Sequence, residues 1–132
     1  MKIDATEFGP SYDWANAGSA VASVQFDRNQ LVIGIEGPEE IDFSVEIRFK
    51  YARAHLVVDE GDLIAFWEEG YSCLDSLVLR VASGGLTERV SGGIFSVSQG
   101  MYPDGEWLIM SSDTCVYVLS VEAPQILEVR KK

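Results

Sequence analysis

The sequence predicts a mainly β domain of the α+β class, with an antiparallel arrangement of about eight strands, folded as a sandwich or half-barrel, and one packed α-helix. Short apolar runs recur between turn-forming residues, and Asp42–Tyr51 alternates strictly between apolar and polar side chains. A third observation is the segment Asp59–Gly70, which has the spacing of an amphipathic helix. The length of 132 residues predicts a single domain that can bury its own core.

The first predicted strands are Val21–Asp27 and Leu31–Gly37, which Arg28–Gln30 separates. Asp27 suits the first position of a tight turn, and Asn29 tolerates the left-handed backbone conformation. The two apolar runs are therefore expected to pair as an antiparallel hairpin.

The segment Asp42–Tyr51 is expected to form a half-buried antiparallel strand. Beyond it, the apolar residues Leu56 and Val58 sit at even positions, so a bulge or tight turn near Tyr51–Arg53 must absorb the change of face. With Leu56 and Val58 directed to the core, His55 is expected to face outward. The residues expected on the buried face of the strand are Phe43, Val45, Ile47, Phe49 and Tyr51.

Apolar runs in the second half of the chain predict further strands. The run Thr114–Glu122 is apolar on both faces, which is typical of a central strand that is covered on both sides. The run Gln125–Val129 is expected at a sheet edge. The other predicted strands are Ser76–Ala82, Gly93–Gln99 and Glu106–Ser111.

The predicted helix begins at Asp59, a favourable N-cap residue that precedes further acids in the first turn. Leu63, Phe66 and Trp67 follow at the spacing that places them on one helical face, which can pack on a sheet. Gly70 then provides a C-terminal stop. The whole segment is therefore predicted to be a capped helix.

His55 is the one histidine of the chain, and it stands close to several carboxylates. On a strand, His55 and Asp59 lie about 13 Å apart by the strand rise, which is too far for one metal ion. The chain also lacks the HExxH, GxSxG and GxxxxGK[ST] motifs. No metal, cofactor or enzymatic activity is therefore expected. An enzyme that uses His55 and a nearby carboxylate is the less favoured alternative.

The formal net charge is −11, from 10 basic and 21 acidic residues. This charge repels nucleic acid and anionic membranes and attracts cationic proteins, although solubility alone is an alternative reason for it. The basic residues Arg48, Lys50 and Arg53 are expected to pair with local acids. The segment Ala54–Leu79 has acids and no Lys or Arg. Its acids are the candidate protein-binding residues, namely Asp59, Glu60, Asp62, Glu68, Glu69 and Asp75.

The sequence favours a cytoplasmic location. Met1–Pro10 has no cationic start followed by an apolar run, as a signal peptide would, and no apolar stretch approaches the roughly 18 residues of a membrane span. Cys73 and Cys115 do not form a CxxC pair, and both are expected as thiols, with Cys115 in the core.

Two runs, "VVDEGDLIAFW" (Val57–Trp67) and "CVYVLSVEAPQI" (Cys115–Ile126), resemble small bacterial β-rich proteins of the immunity type, which belong to toxin–immunity pairs. The resemblance implies a cytoplasmic protein with a protein partner and without enzymatic activity. The expected function is that of a soluble acidic protein-binding module, immunity-like, that neutralises a cationic toxin. The alternative is a structural homo-oligomer, such as a homodimer in which an exposed edge strand pairs with its twin.

Overall fold

The computed structural model describes residues 4–59, 75–83, 85 and 105–131. These residues form nine strands in two antiparallel sheets, in the order β1-β6-β7-β8-β5 and β2-β3-β4-β9, and contain no helix. The predicted β architecture is therefore confirmed, whereas the predicted helix lies outside the described residues except for Asp59, which ends a strand. The strands are β1 (Asp4–Ser11), β2 (Ala20–Asp27), β3 (Gln30–Glu36), β4 (Phe43–Phe49), β5 (Ala52–Asp59), β6 (Ser76–Ser83), β7 (Gly105–Met110), β8 (Thr114–Ser120) and β9 (Gln125–Arg130).

The hairpin of β2 and β3 closes as the sequence predicts. Asp27 pairs with Gln30, so Arg28 and Asn29 alone form the turn. Both have positive φ, 52° for Arg28 and 68° for Asn29, as a type I′ turn requires. The left-handed Asn29 was expected, whereas the left-handed Arg28 was not, since arginine has no special tolerance for that conformation.

The two sheets stack face to face around a shared core. β4 contributes the buried side chains Val45, Ile47 and Phe49, as its alternation predicts. Phe49 meets Trp107 of β7 edge to face across the two sheets, with ring centroids 6.3 Å apart. The prediction that Tyr51 is buried was wrong, because Tyr51 follows the end of β4 and is 53% exposed.

The inner strands β7 and β8 of the five-stranded sheet are buried on both faces. In β8, Val116 and Val118 belong to the core between the sheets, while Cys115 and Tyr117 belong to a second buried cluster on the opposite face. β8 also lies between β7 and β5. The predictions of a doubly covered central strand and of a buried Cys115 are thus confirmed. The second cluster contains Leu79, Val81, Leu108, Met110, Cys115 and Tyr117.

The structure confirms the predicted bulge at the start of β5 but not the predicted faces. The register with β8 shifts between Ala52 and Ala54. After this bulge His55 pairs with Val118, on the side that faces the other sheet, while Leu56 pairs with Tyr117 on the opposite side. The expectation that Leu56 is directed to the core was wrong, since Leu56 is 46% exposed. His55 is exposed, as expected, although it lies on the side of β5 that faces the other sheet. Because buried apolar clusters lie on both faces of this sheet, apolar residues do not distinguish its two sides.

The edge strands β9 and β1 differ in how well the sequence predicted them. β9 lies at the edge of its sheet, as predicted. β1 was not predicted, because its sequence DATEFGPS has no apolar alternation and only its pairing with β6 makes it a strand. The predicted strand Gly93–Gln99 lies outside the described residues.

Candidate protein-binding surface

The pairing of the strands places the loops that connect them at two opposite ends of the molecule. At one end, Asp59 of β5 pairs with Thr114 of β8, and Met110 of β7 pairs with Cys115. The β1–β2 connection reaches the same end, since Ser112 N–H donates to the Ser19 carbonyl at 3.2 Å. At the other end, Ala52 N–H donates to the carbonyl of Asn29 at 2.6 Å.

Exposed carboxylates are concentrated at the first of these ends, which we name the acidic end. Its acids come from separate turns and strand ends that the antiparallel registers place together. The cations described there are Arg130 and Lys131, and Arg130 Nη1 lies 3.5 Å from Asp42 Oδ2. Acids therefore outnumber cations at this end. The exposed carboxylates of the acidic end are Asp13, Glu36, Glu39, Glu40, Asp42, Asp59, Asp75 and Asp113.

Of the residues predicted to bind a partner, Asp59 and Asp75 are described, and both are exposed at the acidic end. Glu60, Asp62, Glu68 and Glu69 lie outside the described residues. The remaining acids of this end are distant in sequence from the segment Ala54–Leu79, so a local count of charges did not find them. The signal that could have found them is their position in the turns between strands.

His55 lies beside an aromatic ring. Its imidazole is tilted by 32° against the ring of Phe26 in β2, with the two centroids 5.3 Å apart. Over residues 4–59, 75–83, 85 and 105–131, no group of three or more His, Cys, Asp or Glu side chains could hold a metal ion. The observed contact of His55 joins the edges of two sheets.

The opposite end of the molecule is less acidic. There a cleft of about 410 Å³ is lined by Lys50, Tyr51, Arg53, Val121 and Glu122. Nearby on β4, Arg48 pairs with Glu46 at 2.6 Å, which confirms the predicted pairing with a local acid for Arg48. Among the residues that the structure describes, acids are therefore in excess at one end, and a cluster of cations lies near the other.

Exposed apolar side chains lie mainly along the side where β5 runs beside β2. Leu56 and Val57 of β5 are 46% and 48% exposed, and Phe26 of β2 is 50% exposed. Tyr51 and Val121, near the start of β5, are 53% and 51% exposed. We name these five residues the β5 strip. Exposed apolar patches of this kind mark interaction surfaces in many proteins.

The acidic end can attract a cationic molecule, and the β5 strip can pack against an apolar surface. Exposed carboxylates act over roughly 8–10 Å at physiological ionic strength, so those of the acidic end act together on an approaching cation. Among the described residues no helix is long and apolar enough to cross a membrane. Comparison with family models, curated proteins and solved structures found no match to this chain.

Proposed function

We propose that this chain is an acidic protein-binding module whose acidic end receives a cationic surface of another protein. The observation that carries the proposal is the meeting of exposed carboxylates from separate turns at one end of the sandwich. A chain that used acids for solubility alone has no need to concentrate them at one end.

The distribution of charge suits attraction over a distance. At this end Arg130 forms an ion pair with Asp42, and both side chains of the pair are exposed. Such exposed pairs contribute little to folding stability. This ion pair therefore has a weak role in the fold, whereas the carboxylates of the acidic end together have a large effect on the surrounding field, which raises association rates with cationic partners.

The resemblance to immunity-type proteins supplies one specific partner class, which is a cationic toxin. Many proteins that act on nucleic acid have basic surfaces, because binding to phosphate needs Lys and Arg. An acidic protein that covers such a surface competes with nucleic acid for it. We propose this immunity-like role as the specific form of the binding function.

The experiment begins with identification of the partner by cross-linking in the native cell, followed by purification of the captured protein. Association rates are then measured for wild type and two variants that lose equal charge. The acidic-end variant carries Asp13→Asn, Glu39→Gln, Glu40→Gln and Asp75→Asn. The matched control carries Asp4→Asn, Glu7→Gln, Asp27→Asn and Glu122→Gln, at exposed acids outside the acidic end.

We expect the acidic-end variant to associate about tenfold more slowly at low salt, and high salt to slow wild type similarly. The control variant should remain close to wild type. Equal slowing in both variants would show that net charge acts without a specific surface. Association that ignores both variants and salt, or the absence of any cationic partner, would contradict the proposal.

A further inference from the structure

The cleft opposite the acidic end lies where the chain crosses twice between the two sheets. In one sheet β4 pairs with β9 as far as Arg48, and in the other sheet β5 pairs with β8 from Ala52 onward. Residues 50–51 and 121–124 connect these paired strands across the sandwich. Within the described residues no strand pairing joins the two connections, and the cleft is lined by residues of both.

Hydrogen bonds fix both of these connections. Ala52 N–H donates to the carbonyl of Asn29 at 2.6 Å, and Asn29 Nδ2 donates to the carbonyl of Ala52 at 3.4 Å. In the other connection, the Ser120 hydroxyl donates to the carbonyl of Glu122 at 2.8 Å. The cleft is therefore largely preformed. Its volume of about 410 Å³ falls in the range of about 300–1,000 Å³ that is typical of small-molecule sites.

The lining of the cleft combines apolar surface with charges of both signs. Tyr51 and Val121 are about half exposed, so each presents apolar surface that a ligand can cover. Lys50 and Glu122 are exposed on the two different connections, and no ion pair joins them in the described part of the chain. Arg53, at the β5 bulge, adds positive charge on the same wall as Lys50. The cleft thus has a positive wall and a negative wall.

We propose that this cleft binds a zwitterionic ligand with an apolar group, namely a free α-amino acid with an aliphatic side chain. The Lys50 ammonium group donates to the carboxylate of the ligand, and the ammonium group of the ligand donates to the Glu122 carboxylate. The aliphatic side chain packs on Tyr51 and Val121. A ligand with a single charge leaves one wall unmatched, and Glu122 repels a dianion such as phosphate. This site is independent of the proposed function, because it lies at the opposite end and takes a different ligand.

The first test titrates the whole protein with L-leucine and follows the backbone amide signals by NMR. Because the charges of the cleft are exposed, we expect weak binding, with a Kd of about 1 mM. The shifts should saturate, and the largest should fall on Lys50, Tyr51, Val121 and Glu122. Shifts that do not saturate, or that are largest elsewhere in the chain, would overturn the proposal.

The second test changes the ligand. Glycine keeps both charges but lacks the aliphatic side chain, so it should bind about fivefold more weakly than leucine. Leucine amide lacks the carboxylate and N-acetyl-leucine lacks the ammonium group, so each should also bind about fivefold more weakly. Equal affinity for all four compounds would show that the cleft does not recognise a zwitterion.

The third test assigns each end of the ligand to a residue. Lys50→Gln and Glu122→Gln should each weaken the binding of leucine about fivefold. Lys50→Gln should not weaken the binding of leucine amide, which has no carboxylate. Glu122→Gln should not weaken the binding of N-acetyl-leucine, which has no ammonium group. Loss of affinity for every compound in both variants would contradict this assignment.

Matched controls remove the same charges outside the cleft. Lys131→Gln and Glu7→Gln change exposed residues that do not line it, so both variants should bind leucine as wild type does. If they lose as much affinity as Lys50→Gln and Glu122→Gln, net charge controls the binding and the proposed site is wrong.

The two variants designed for the proposed function provide a reciprocal check. The acidic-end variant leaves the cleft unchanged, so it should bind leucine normally while it associates slowly with a cationic partner. Its control carries Glu122→Gln, so it should bind leucine weakly while it associates normally. A protein that binds leucine but no cationic partner would contradict the proposed function alone. A protein that binds the partner but not leucine would contradict the cleft site alone.

Discussion

Phe26 of β2 and His55 of β5 lie with their ring centroids 5.3 Å apart, at the line where an edge of one sheet runs beside an edge of the other. The two strands belong to different sheets. This ring contact therefore connects the sheets outside the buried core. It gives the one histidine of the chain a packing role that spacing along the sequence did not indicate.

We expect this contact to contribute to stability by coupling the two residues. Phe26→Ala and His55→Ala should each lower the free energy of unfolding, and the double variant should lose less than the sum of the two. The coupling expected for an aromatic pair is about 0.5–1.5 kcal/mol. Urea unfolding of the four proteins in this cycle measures it. Strict additivity would show that the ring contact contributes nothing.

Arg28→Gly is expected to stabilise the protein by about 0.5–1 kcal/mol, because glycine adopts a left-handed backbone without steric cost. Arg28 has a φ of 52°, which disfavours a side chain. Gln30→Gly is the control, since Gln30 begins β3 and glycine weakens a strand. Thermal and urea unfolding measure both. A destabilised Arg28→Gly protein would mean that the arginine side chain matters more than its backbone strain.

Leu108 and Ile109 are neighbours on β7 that face opposite sides of the sheet, and they are 1% and 0% exposed. Truncation of either to alanine should cost about 2–5 kcal/mol, because both leave cavities in buried clusters. Val129→Ala, at a residue that is 38% exposed, should cost about 1 kcal/mol or less. The measurement is the urea midpoint. A small cost for Leu108→Ala would contradict the burial of the second face.

The environment of Tyr12 predicts that the protein loses stability at alkaline pH. Burial, followed by the hydrogen bond that Tyr12 Oη donates to Glu128 Oε2 at 2.8 Å, raises the pKa of Tyr12 above its ordinary value. The native state therefore holds the phenol proton more tightly than the unfolded state, whose tyrosine pKa is about 10. The stability from this group is present below that pH and is lost as pH rises through the native pKa.

Tyr12→Phe removes the titrating group, so its free energy of unfolding should fall less than that of wild type between pH 9 and pH 11, a range of about two units around the unfolded tyrosine pKa. Urea unfolding at several pH values gives this difference. Glu128→Gln is a second check, since it removes the negative charge beside Tyr12 and should lower its pKa. Identical pH dependence in wild type and Tyr12→Phe would contradict the assignment.

Part of the candidate surface was evident from the sequence. Asp59 and Asp75 were predicted to face a partner, and both are exposed at the acidic end. The sequence did not predict that Asp13, Glu39 and Asp113 face a partner. Each of them is an ordinary turn residue when only its neighbours in the chain are considered. The long-range registers bring them together, and no local pattern reports such pairings.

The sequence by itself determined the local features of this protein. The alternation through Ile47 predicts a strand with one buried face, Asn29 predicts a tight hairpin, and the change of parity before Leu56 predicts a bulge. Each of these depends on interactions between residues that are close in the chain. Strand period and turn chemistry are local, so they can be inferred from a single sequence.

Only the tertiary structure decided how these strands are placed relative to one another. The apolar residues of β5 lie on both of its faces, so the direction of His55 depended on which face of β8 meets the other sheet. β1 is a strand because β6 provides hydrogen bonds for it, and the acids share one end because the antiparallel registers place their turns together. Backbone pairing and burial connect residues that are far apart in sequence, and their energies do not depend on any local pattern.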